Sequence, residues 1–158
     1  MAKEEKASVW SSYTEADKEA LEKLAAGYRD FLSTCKTERE SVREAVRQAE
    51  GAGYRDLQDV LRSGEKLKAG DKVYAVNMKK SIVLFQIGEE PLEKGLAILG
   101  AHIDTCRLDV KQNPLYEDGG LAYLDTHYYG GIKKYQWVTR PLALPGVVVT
   151  KDGPVGER

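Results

Sequence analysis

Leu96-Ala97-Ile98-Leu99-Gly100-Ala101-His102-Ile103-Asp104 is the stretch on which a reading of the fold turns. Leu96 to Ala101 is apolar throughout, the composition of a strand covered on both faces in the middle of a sheet. An imidazole and a carboxylate stand where that strand runs out. Side chains alternate along a strand with a period of two, so His102 and Asp104 project to the same side if extended geometry persists that far. Asp104 is then placed to hold one ring nitrogen of His102, which in metal sites fixes the tautomer and leaves the other nitrogen for the metal. Spacing alone also allows a hydrogen-bonded structural histidine, and both readings stay open here. Cys106 follows Asp104 by two and is a conceivable third donor, against its plainer reading as a small buried or half-buried thiol.

Outward from this stretch, the flanking segments predict an α/β fold of N-terminal helices packed on a mixed sheet. Residues 14–34 carry Leu21, Leu24, Ala25, Tyr28, Phe31 and Leu32 at helical spacing, with Ser12-x-x-Glu15 or Thr14-x-x-Asp17 as the capping start. A second helix runs from the Thr37-x-x-Glu40 cap through Val42, Ala45, Val46 and Ala49 to Gly51 and Gly53. Tyr54 to Leu67 reads as turn-rich. The period then changes: Val73–Val76 and Ile82–Phe85 form a hairpin with a polar tip at 77–81, ended by Gly88-Glu89-Glu90-Pro91.

Beyond the central strand, Arg107–Tyr116 and Leu121–Tyr129 form a second β pair joined by Glu117-Asp118-Gly119-Gly120. Residues 137–149 are expected to add a further pair turning at Pro145-Gly146. Residues 150–158 read as turn composition with no closing strand, as if a longer polypeptide had been cut short.

Composition excludes several classes. The 158 residues fit one domain, large enough to bury a core. Twenty-four basic residues balance 25 acidic ones, and no Lys/Arg cluster with interleaved aromatics makes a footprint for nucleic acid. Met1 to Lys6 is charged and leads into no apolar signal core, and no run of about 18 apolar residues exists, so a cytoplasmic protein with no membrane partner is expected. The two cysteines, Cys35 and Cys106, lie far apart and are read as reduced thiols rather than as a disulfide or metal knuckle.

Three ordered blocks carry a more specific signal: residues 100–109 (Gly-Ala-His-Ile-Asp-Thr-Cys-Arg-Leu-Asp), Lys111 to Tyr116, and residues 126–132 (Thr-His-Tyr-Tyr-Gly-Gly-Ile) with Tyr135-Gln136-Trp137. From about Val73 to Gly153 the sequence resembles the N-terminal catalytic segment of the aspartyl aminopeptidase and vacuolar aminopeptidase I family of zinc aminopeptidases, particularly its bacterial members. The resemblance implies that His102 is a metal ligand, that Asp104 is its orienting partner in catalysis, and that two zinc ions act in the complete enzyme. It implies peptide substrates and a homo-oligomer. His127 has no assigned place at the metal and is read as a structural or surface histidine.

The family's bridging aspartate, Glu-Glu pair, further acidic ligand and late histidine are not among these 158 residues, and residues 150–158 would open the inserted dimerisation domain. Catalytic zinc needs about three protein ligands and an open position, so the expectation is a fragment inactive alone. The alternatives are a non-catalytic module that pairs with full-length subunits, or a zinc-binding protein using His102, Asp104 and Cys106.

Overall fold

The computed structural model describes residues 8–157; residues 1–7, with the charged stretch Met1 to Lys6, and Arg158 lie outside them. The chain divides into two compact units, residues 1–91 and 92–158.

In the first unit, helix α1 (Glu15–Thr34) starts at Thr14, and it is the Thr14/Asp17 pair that closes the capping box. The Asp17 amide donates to the Thr14 hydroxyl at 3.2 Å, and the Thr14 amide donates to the Asp17 carboxylate at 2.9 Å. Helix α2 (Glu38–Gly51) uses the same device at Thr37 and Glu40, as its sequence predicts. The apolar stripe of α1 is real but scarcely covered: no residue of α1 is buried, and Leu24 and Tyr28 stand in solvent. On α2 the stripe is buried through Val42 and Ala49, two turns apart on one face.

Strand β1 (Arg55–Asp56) pairs in parallel with β2 (Lys72–Asn77), which pairs antiparallel with β3 (Ser81–Gln86), so the sheet is mixed, in the order β1-β2-β3. Helix α2 packs on β2 and β3, and a short helix α3 (Leu57–Ser63) packs on β1 and β2. The predicted α/β class of helices on a mixed sheet therefore holds. Helix α3 falls where turns were expected. Seven residues give too little periodicity to see, but its ends are signalled by the Asp56 side chain, which accepts from the Gln58 amide at 2.8 Å, and by left-handed Gly64. The β2–β3 turn places Met78 and Lys79 at φ +50° and +58°, an uncommon region for residues with a Cβ.

The core of this unit is small and lies on Cys35, Val42, Ala49, Val60, Val73 and Tyr74. The Tyr74 hydroxyl donates to Glu50 at 2.9 Å. Burial, and next the Glu50 carboxylate, push the Tyr74 phenol from its ordinary 10.0 to about 12.

The second unit is built on a long hairpin. Strand β4 (Arg107–Asp118) and β5 (Leu121–Tyr129) meet in the predicted place, with Gly119 and Gly120 both at positive φ, the geometry a two-residue hairpin loop requires. The register runs from Asp118↔Leu121 and Tyr116↔Tyr123 to Arg107↔Tyr129, with a shift between Val110 and Leu115, where Pro114 has no N–H for the ladder. Tyr116 and Tyr123 stack across the strands at 5.2 Å. At the open end, Gly130 (φ +74°) lies so close to Cys106 that an added Cβ would come within 3.0 Å of the sulfur.

Three expectations are corrected here. Residues 95–106 form no strand; Leu96, Ile98 and Leu99 are 63%, 81% and 101% exposed. The apolar run reported side-chain character correctly, but a strand needs neighbours for its amides and carbonyls, and no described strand pairs with it. The pair expected within 137–149 is displaced: Pro141 and Pro145 delay the strand until β6 (Val147–Thr150), and the turn is Lys151-Asp152. Residues 150–158 do supply a closing strand, since β7 (Gly153–Glu157) pairs antiparallel with β6.

Replacing Val73, which is 1% exposed, by alanine should cost about 2 kcal/mol in a denaturant melt. Gly130→Ala should cost about 1–2 kcal/mol, from backbone strain and the contact with Cys106. The neutral Tyr74 phenol is favoured in the folded state. Its contribution is therefore complete below pH 10 and is lost as pH rises toward 12; Tyr74→Phe should flatten that alkaline fall in a pH series of melts.

Candidate functional site

The predicted pair is assembled, though from a loop and not from a strand end. His102 Nδ1 lies 3.0 Å from Asp104 Oδ1 and 3.1 Å from the Asp104 carbonyl. A carbonyl and an ionised carboxylate can only accept, so a proton belongs on Nδ1, and in the neutral ring this leaves the lone pair on Nε2. The His102 side chain is 84% exposed, which leaves that second nitrogen open to an incoming cation.

Asp104 is held from a second side. The Tyr129 hydroxyl, at the end of β5, donates to Asp104 Oδ2 at 2.7 Å. This bond, then the backbone amide of Asp104 and the His102 ring, hold the Asp104 carboxyl below the usual carboxylate range. The acid is thus kept ionised, as a partner that orients an imidazole must be. Spacing along the chain pointed to His102 and Asp104 and missed Tyr129, which is 25 residues away in sequence. Only the hairpin register, which sets Tyr129 opposite Arg107, reveals it.

Arg107 continues the arrangement. Its guanidinium carbon lies 4.1 Å from the centre of the Tyr129 ring, and its Nε donates to Asp109 Oδ1 at 2.7 Å. His127 pairs across the strands with Asp109, Nε2 to Oδ2 at 3.9 Å, and its side chain is 58% exposed. It lies on the hairpin beside an acid, and nothing brings it to His102.

Cys106 does not join the pair. Its thiol is exposed, not buried or half-buried, and donates to the Gly131 carbonyl at 3.4 Å, because the residue turns onto the Gly130 corner at the start of β4. Cys35 is free and buried, its thiol raised above the ordinary range by burial first and by Glu44 next.

Among the described residues no three His, Cys, Asp or Glu side chains converge to hold an ion. A single oriented imidazole is one corner of a zinc site and does not make a whole one. The acidic cleft of the first unit, about 430 Å³, offers no substitute. Its carboxylates are engaged: Glu50 by Tyr74, Glu65 by Arg55 at 2.8 Å, Asp56 by the Gln58 amide and Asp59 by Arg62.

Comparison with known proteins supplies what the geometry leaves open. A sequence profile of the family described as aminopeptidase I zinc metalloprotease (M18) matches residues 31–158. A probable M18 family aminopeptidase 1 of Clostridium acetobutylicum is 58% identical over 150 residues, covering 94% of this chain and 32% of the relative. The protein of the same name in Thermotoga maritima is 42% identical over 151 residues, covering 96% of this chain and 32% of that one. Among solved structures, aminopeptidase I from Borrelia burgdorferi B31 superposes with a TM-score of 0.85 at 34% identity, over 94% of this chain and 37% of that one. Aminopeptidase I from Clostridium acetobutylicum gives 0.80 at 54% identity, over 99% and 34%. The chain thus spans about a third of the length of the relatives it matches. The match extends through both units and carries the His102–Asp104–Tyr129 cluster within it, and the chain belongs to the M18 family of aminopeptidase I zinc metalloproteases.

Proposed function

We propose that these residues are the N-terminal part of the catalytic domain of a zinc-dependent aminopeptidase that removes N-terminal residues from peptides. His102 supplies one metal ligand through Nε2, and Asp104 orients it. The observation that carries this reading is the Nδ1 contact to an ionised Asp104, inside a chain that belongs to a zinc metalloprotease family. In this reading the complete enzyme holds two zinc ions and acts as a homo-oligomer, and residues 150–158 open its dimerisation domain. The chain alone is inactive, because one imidazole cannot retain a catalytic ion against solvent and chelators. What it contributes to the enzyme is an imidazole oriented by the carboxylate behind it.

A second reading draws on the exposed run Leu96, Ile98 and Leu99: a non-catalytic module that pairs with full-length subunits. Capture of a full-length family member by this chain, lost when the three residues are replaced by serine, would favour it.

The first reading is tested by exchanging residues 1–158 for the matching third of the Clostridium acetobutylicum relative. That chimera should release N-terminal residues from peptides. Its His102→Ala form should lose at least about a thousandfold in kcat/KM and hold less zinc by elemental analysis. Undiminished peptide trimming and zinc content in His102→Ala would overturn the assignment. The isolated chain should show no activity at any zinc concentration.

A further inference from the structure

We propose that Tyr129 is a positioning residue that fixes the Asp104–His102 pair through its hydroxyl, with Arg107 clamping its ring in place; the functional meaning, though not the contact, rests on the reading of His102 as a zinc ligand. His102 and Asp104 sit in a segment without regular secondary structure, so no ladder of backbone bonds fixes their direction. A carboxylate in such a loop rotates unless both oxygens are engaged. Here Oδ1 receives His102 Nδ1 at 3.0 Å and Oδ2 receives the Tyr129 hydroxyl at 2.7 Å. The two partners set the plane of the carboxylate, and that plane sets the direction of the imidazole.

Tyr129 can do this because it is itself held. It is the last residue of β5, in register with Arg107, the first residue of β4, and the guanidinium lies 4.1 Å from its ring centre. A cation over the ring draws electron density from the phenol and makes its O–H a stronger donor. Arg107 is fixed in turn by Asp109 at 2.7 Å. The side chains of 107 and 109 share one face of β4, those of 127 and 129 one face of β5, so the clamp is a consequence of strand periodicity and register. Orientation thus passes from the hairpin, whose strand ends are paired at Arg107 and Tyr129, to the histidine loop, which has no ladder of its own.

The test uses the full 158-residue chain with 15N-labelled histidine and long-range proton–nitrogen correlation spectra without metal. Wild-type His102 should show the Nδ1–H tautomer. Tyr129→Phe keeps the ring under Arg107 and removes only the hydroxyl; it should move His102 toward the Nε2–H form that free histidine favours, with the melting temperature and the His127 signals unchanged. His102 signals identical to wild type in folded Tyr129→Phe would overturn the proposal. If that variant does not fold, the reciprocal measurement decides. Asp104→Ala should shift the Tyr129 Cζ resonance, and an unmoved resonance would refute the contact. A shifted tautomer in Tyr129→Phe beside a fully active His102→Ala chimera would keep the positioning contact and remove its place in peptide hydrolysis.

Discussion

One carboxylate, Asp104, joins a loop to a hairpin. Residues 95–106 have no strand or helix to define them, whereas β4 and β5 are paired from Arg107↔Tyr129 to Asp118↔Leu121 with one shift of register between Val110 and Leu115. The direction of His102 depends on the paired hairpin holding the loop through that carboxylate. Because Asp104 accepts from both sides, it must stay ionised to do this, and the hydroxyl of Tyr129 is the leading cause that keeps its carboxyl below the ordinary range. A neutral carboxylic acid would itself carry a proton on one oxygen and could hold at most one of the two donors in the same way.

The parts of the fold written in local chemistry were legible from the sequence. Thr14/Asp17 and Thr37/Glu40 mark helix starts because each pair satisfies amides that a helix leaves open, and Gly119-Gly120 marks a hairpin because both residues must take positive φ. The His102–Asp104 pair was legible for a related reason, since two residues of separation is short enough for local geometry to decide the contact. What escaped was set at a distance. Tyr129 reaches Asp104 only after β4 and β5 have paired, and residues 96–101 fail to become a strand because pairing requires a partner that side-chain character does not reveal. Prolines at 141 and 145 outweighed the apolar residues around them, which moved the last hairpin toward the C-terminus.

Apolar surface is distributed unevenly in this chain. Every buried residue among those described lies between Cys35 and Tyr74, whereas residues 92–153 carry exposed leucines, valines and tyrosines and none that is buried. The amphipathic face of α1 and the run at Leu96–Leu99 are likewise open to solvent. Apolar surface of this extent marks places of contact, and the chain matches only about a third of the length of its relatives.

The confinement of the core to residues 35–74 has a consequence for biosynthesis. Its contacts join α2 to β2 and β3, α3 to β1 and β2, and the strands to one another, so every loop they close lies within the first unit. As the polypeptide leaves the ribosome, this nucleus can consolidate while the histidine loop and the β4–β5 hairpin are still being translated. The chemistry-bearing segment therefore emerges after the part of the chain that holds the buried core.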